Sequence, residues 1–258
     1  MLSYKKKIGQ ASYNGRIEKE SEADIKGFFF AAAAGFQPHG LQGLLIEKIY
    51  STYKLADIQK GYPSKQERIV IAKNAENTAT QLYEHFKNGL SALENKQYDV
   101  AIELFTKANS QVPFRENWNN IGVAYARKAL ALKVSSKAEI ENPARFLYPL
   151  EVENKSRLLN ERTRSLDDTT EEIIELLNHA QSAFEKALQL DPSFYKSRIN
   201  LACVYDLQGK HNSAIAEITE KLPEETRASK EAKIILAIAY YNADMEEKAE
   251  MIWGELKM

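Results

Sequence analysis

The chain has 258 residues, 44% of them apolar and 28% charged, so it can bury a substantial core without metals or disulfides and is too apolar for general disorder. Its formal charge of −1 gives no global field to gather nucleic acid or anionic lipid. Its single cysteine, Cys203, excludes an internal disulfide and any cysteine-based metal cluster. Seven prolines and eleven glycines punctuate the chain, no Val/Ile/Thr run alternates over strand length, and apolar residues recur at three and four. This pattern predicts an all-α protein.

Lysines follow Ser3 and Tyr4 directly, so no signal-peptide segment is read there, and Lys5, Lys6 and Lys7 read as a solvated terminus. Residues 16 to 34 read as a helix whose solvated face carries Glu18, Glu20, Glu22 and Asp24, and Gly35 stops it. The most apolar run, Gly27 to Phe36, is too short to span a bilayer. No membrane span is expected, and the chain as it stands reads as cytoplasmic. A second helix is expected from about Pro38 to Lys54, followed by Gly61-Tyr62-Pro63-Ser64 before helical spacing resumes.

From residue 82 a repeat emerges. Ala101, Phe105, Ala108 and Pro113 return with identical spacing as Ala180, Phe184, Ala187 and Pro192, and a fainter copy, Ala249, Trp253 and Leu256, follows. Gly89 and Ala92 stand before the first copy, Trp118, Ile121, Gly122 and Tyr125 before the second. Leu201, Ala202, Tyr205 and Ala214 form a third unit, and Leu236, Ala237, Tyr240 and Ala249 a fourth. Cys203 sits on an apolar helical face and reads as a small core residue. Between the second unit's two helices the chain makes a long excursion, roughly Val134 to Thr170, in which Pro143 and Pro149 flank Arg145-Phe146-Leu147-Tyr148. Loops of this length in a compact domain are functional or disordered. Phe146 to Leu150 is expected to pack on the helices and partly cover their binding face.

These spacings resemble the tetratricopeptide repeat, a helix-turn-helix unit of about 34 residues. The resemblance implies stacked hairpins whose first helices line a groove that takes protein or peptide segments. Its groove positions fall here on Tyr83, Phe86, Leu90, Val123, Ile199, Ile234, Ile238 and Tyr241. Asn119, Arg127, Lys196 and Asp206 add polar contacts, as do Glu94 and Glu116. Chaperone-docking members clamp a terminal carboxylate with basic and amide side chains, but Phe86 and Leu90 stand at two of those places, so no such clamp is expected.

The first quarter carries Glu20, Ala23, Asp24 and Gly27, then Ala34-Gly35-Phe36 and Pro38, then Leu45, Lys48 and Ile49, then Pro63 and Arg68. In this order they resemble zinc metallopeptidases of the CAAX-prenyl-protease and HtpX kind, in the bacterial envelope subgroup that also bears such repeats. The resemblance implies Glu20 as a zinc-ligand position and Asp24 as a partner orienting a ligand. The family's H-E-x-x-H is missing, His39, His85, His179 and His211 are scattered, and Tyr62 replaces a family histidine. One carboxylate does not hold zinc, since such sites need three or more protein ligands. The expected organisation is a peptidase-like helical remnant over 1–76 and a repeat array over 77–258. The expected function is non-catalytic binding of a protein or peptide in an apolar concave groove, anchored first by Phe86, Leu90, Ile234, Ile238 and Tyr241, without cofactor or nucleic acid. The alternative is the C-terminal part of a zinc endopeptidase, periplasmic or membrane-associated if the N-terminus is truncated. Phe28, Phe29, Phe30 and Ala31 to Ala34 would once have packed on the missing catalytic helix, so residues 1–60 are expected to dock on the first repeats or to form a homodimer.

Overall fold

The structure, a computed structural model, describes residues 2–36, 40–58, 61–135, 146–152 and 170–256. Pro38, Pro143 and Arg145 lie outside the described residues, as do the side chains of Lys5, Lys6 and Lys7. The fold is all-α, with no strand among the described residues. The chain forms two compact units. One holds residues 1–87 and 110–112; the other holds 88–109 and 113–258.

In the first unit, α1 (Leu2–Ala33) begins well before the predicted residue 16. Its early half lacks a clean apolar stripe, which is why spacing alone does not reveal it. Next come α2 (Gln42–Thr52), shorter at both ends than predicted, and α3 (Lys65–Glu94). The start of α3 is a capping box. Ser64 N–H donates to Glu67 Oε2 at 2.7 Å and Glu67 N–H donates to Ser64 Oγ at 3.3 Å, satisfying two donors that a helix end leaves open. Phe29 of α1 is fully buried and meets Tyr83 of α3 edge-on, with centroids 6.2 Å apart. On α2, Ile46 is buried, whereas Leu41, Leu44 and Leu45 form an outward apolar face.

The second unit is a succession of hairpins. The end of α3 pairs with α4 (Tyr98–Ala108). Then α5 (Arg115–Ser135) pairs along its length with α6 (Thr170–Leu190). They are followed by α7 (Tyr195–Leu207) with α8 (His211–Thr219), a short α9 (Glu224–Arg227), and α10 (Lys230–Asn242) with α11 (Glu246–Leu256). Three hairpins turn in the same way. Lys96, Gly209 and Asp244 each take the left-handed conformation, with φ of 59°, 75° and 58°. The next residue's N–H then reaches back five places, Gln97 to Ala92 O, Lys210 to Tyr205 O and Met245 to Tyr240 O, at 2.8 to 2.9 Å. That bond is the Schellman closure of a helix end.

The repeated Gly and Phe explain how the hairpins close. A Cβ on Gly89 would stand 2.7 Å from the ring of Phe105, and one on Gly122 2.6 Å from the ring of Phe184. Both rings are fully buried. Glycine on the first helix thus gives the space that phenylalanine on the second fills. A tie to the next hairpin also recurs. Asn117 Nδ2 donates to Phe105 O at 2.6 Å and Ser197 Oγ to Phe184 O at 3.4 Å, each adding a donor from the following helix to a carbonyl of the preceding one. Cys203 is fully buried, and burial, then the nearby Asp206 carboxylate, push its thiol well above the ordinary range. It is a core residue without nucleophilic character.

Candidate functional site

The first helices of three successive hairpins, α5, α7 and α10, share one face of the second unit, and residues 146–152 of the excursion lie along it. At one end Phe146 meets Tyr241 edge-on (centroids 5.3 Å apart) and stacks on Trp253 of α11 at 6.1 Å. Next, the Tyr148 hydroxyl donates to Asp206 Oδ2 of α7 at 2.7 Å. The Leu150 N–H folds back to Tyr148 O at 2.9 Å, making a tight turn at Pro149. Leu150 itself is buried, and its carbonyl accepts from Arg127 Nη2 of α5 at 3.0 Å.

Glu151 is held most completely. Its N–H donates to Asn200 Oδ1 at 2.9 Å, while its carbonyl accepts from Asn200 Nδ2 at 2.9 Å and from Asn119 Nδ2 at 3.0 Å. Asn200 Nδ2 also donates to Asn119 Oδ1 at 2.9 Å, which fixes the orientation of both amides. The Glu151 carboxylate lies 3.5 Å from Lys196 Nζ. The segment therefore passes from α10 to α7 and ends between α7 and α5, against the order of the repeats.

Asp206 is the electrostatic centre of this face. Its side chain is wholly buried and accepts from three donors: Tyr148, Asn242 Nδ2 at 2.7 Å, and the His211 ring at 2.6 Å. Such bonding is what a buried carboxylate requires. Burial, and then the Asp206 charge, push the Tyr148 phenol well above its ordinary range. It stays a neutral donor at any physiological pH. Arg127, largely removed from water, has its guanidinium pKa lowered by that burial. It still carries its proton and donates to the segment.

The structure distributes the predicted groove residues unevenly. Asn119, Arg127, Lys196 and Tyr241 come together around residues 146–152. Val123, Ile199 and Ile238 are buried in the second unit. Ile234 lines an open pocket of about 710 Å³ beside Trp253. Leu90 is half-buried in the second unit, whereas Tyr83 and Phe86 belong to the first, where their rings stack at 6.4 Å. Asn200 and Trp253 complete the site and were not among the groove positions. A buried asparagine between Ile199 and Leu201 is itself a signal, because it must find partners.

The residues of the first-quarter motif also meet. Arg68 donates from Nη1 to Asp24 Oδ2 at 2.9 Å and lies 3.2 Å, through Nη2, from Glu20 Oε2. These are the two carboxylates the peptidase resemblance assigns to zinc and its support. Here both pair with the single Arg68 guanidinium, and among the described residues no three His, Cys, Asp or Glu side chains form a metal-binding group. Among the described residues, two carboxylates paired with a guanidinium fall short of the three or more ligands that a zinc site needs. Among the described residues, no helix is long and apolar enough to cross a membrane.

Residues 183–216 match the family model of the tetratricopeptide repeat. The matched stretch runs from the second half of α6 through α7 into α8, and so includes Phe184, Lys196, Asn200 and Asp206. The match supports a tetratricopeptide-repeat protein, and with it a protein-interaction module. A comparison with curated proteins finds no match.

Proposed function

We propose that this chain is a non-catalytic module that binds a protein segment in extended form along the groove of α5, α7 and α10. One observation carries the reading: Asn200 bonds both the N–H and the carbonyl of Glu151. Paired amide bonds to a single backbone unit hold an extended chain whatever its side chain, which is how a groove gains affinity before pockets add selectivity. Around this ladder stand an aromatic shelf (Tyr241 and Trp253), a buried carboxylate (Asp206) and a cation (Lys196). The test is selection of displayed peptides on the intact chain. Selected peptides are expected to lose at least tenfold in affinity, about 1.4 kcal/mol or more, on Tyr241→Ala or Arg127→Ala. Peptides that bind both variants as tightly as the parent chain would place the site elsewhere. Val123 and Ile238 are unsuitable probes, since truncating a buried residue tests the core.

The reading extends to self-association through residues 1–60. Leu41, Leu44 and Leu45 recur on one face of α2 and are about half or more exposed, an arrangement that water disfavours. Sedimentation velocity is expected to show a concentration-dependent dimer that Leu44→Asp with Leu45→Asp converts to monomer. A parent chain that stays monomeric at high micromolar concentration would remove this part of the reading.

A further inference from the structure

Resting on the peptide-binding reading, we infer that residues 146–152 are an internal ligand that keeps the groove closed. Its side-chain order then names the class of partner able to replace it: an aromatic residue, an unread position, tyrosine, proline, an aliphatic residue and an acidic residue.

The contacts fall into two kinds. Asn200, Asn119 and Arg127 hold main-chain atoms of Leu150 and Glu151, and any extended peptide could satisfy them. The remaining contacts read identity. Phe146 requires a ring for Tyr241 and Trp253. Tyr148 requires a hydroxyl, because Asp206 is buried and a phenylalanine there would remove one of its three donors. Sites built to bond a hydroxyl reject the analogue lacking it far more strongly than apolar pockets reject a missing methylene. Leu150 requires an aliphatic group of matching size in its buried seat, and Glu151 requires a carboxylate near Lys196. Leu147 is 85% exposed, so its position is not read.

The occupant is part of the same chain and is therefore present at an effective concentration on the order of millimolar. An outside peptide of equal intrinsic affinity must compete with it. Its apparent affinity falls in proportion to the fraction of molecules whose groove is open.

The test uses the full chain and a fluorescent peptide with the sequence of residues 146–152, followed by anisotropy. The parent chain is expected to bind it weakly. Tyr148→Ala with Leu150→Ala, or Glu151→Lys as a milder change, should loosen the internal segment and tighten peptide binding at least tenfold for the double variant. In that background, Tyr241→Ala should reverse the gain, as should Asn200→Ala where circular dichroism shows it folded. The same peptide with phenylalanine at the place of Tyr148 should bind at least tenfold more weakly. Equal binding by parent and loosened chains, or equal binding of the two peptides, overturns the internal-ligand assignment. A folded, loosened chain that takes display-selected peptides but not this one overturns the assignment and leaves the peptide-binding reading standing. One that takes neither overturns both.

Discussion

Phe184→Ala is expected to lower the stability of the second unit by about 3–5 kcal/mol, the range for removing a fully buried phenylalanine. The ring is wholly buried and sits over Gly122, within the α5–α6 pair. Its loss leaves a void that the glycine cannot fill. Gly122→Ala tests the same contact from the other side. In a helix interior, glycine to alanine normally stabilises by about 1 kcal/mol. Here the added methyl would stand 2.6 to 2.8 Å from a ring packed on all sides. Overpacking of this kind costs about 1–3 kcal/mol, so a net loss is expected. Gly27, within α1, has no atom within 4 Å of such a methyl, and Gly27→Ala should stabilise by about 0.5–1 kcal/mol. Both tryptophans, Trp118 and Trp253, lie in the second unit, so urea titration followed by their fluorescence reports that unit, and calorimetry reports the effect of Gly27→Ala. An unchanged or raised urea midpoint for Gly122→Ala would contradict the close Gly–Phe approach.

Asp206→Ala has the second-largest expected effect, about 2–4 kcal/mol, because hydrogen bonds to a charged group contribute more than neutral ones and three donors lose their acceptor together. His211 recovers part of the loss, since its side chain is 29% exposed and can turn to water. Tyr148 and Asn242 recover less. The consequence is local as well as global: residues 146–152 lose the anchor at their middle, and protease cleavage within them should accelerate. Asp206→Asn, which keeps the shape and one acceptor oxygen, should fall between parent and alanine on both measures. Stability within 0.5 kcal/mol of the parent and unchanged cleavage for Asp206→Ala would show that the carboxylate does not hold the segment.

The stacked hairpins were legible because their determinants recur. The pairing of Gly122 with Phe184 appears twice in the chain, and alanines at fixed spacing mark where helices approach. Such regularity arises when one packing solution is used repeatedly. The first half of α1 left no comparable trace, since its residues follow neither an apolar stripe nor a capping signal. The site was legible in part. Asn119, Arg127, Lys196 and Tyr241 were reached through the family's groove positions. Asn200 was not, because its role depends on a segment far away in sequence whose seven residues have no periodicity. The assignment of Glu20 to a metal and the pairing of Glu20 with Arg68 start from the same carboxylate. Local spacing shows the carboxylate but not the guanidinium that a distant helix brings to it.

The second hairpin differs from its neighbours in length: α5 and α6 each have 21 residues, against 13 in α7 and 9 in α8. At 1.5 Å per residue the surplus of α5 over α7 makes it about 12 Å longer. The α5–α6 pair therefore extends as an outrigger beyond the length of the other hairpins. Substitutions within residues 146–152 that keep its main-chain bonds leave the contacts between stacked hairpins in place. In evolutionary terms, the scaffold can be conserved while the cargo it presents to itself is rewritten.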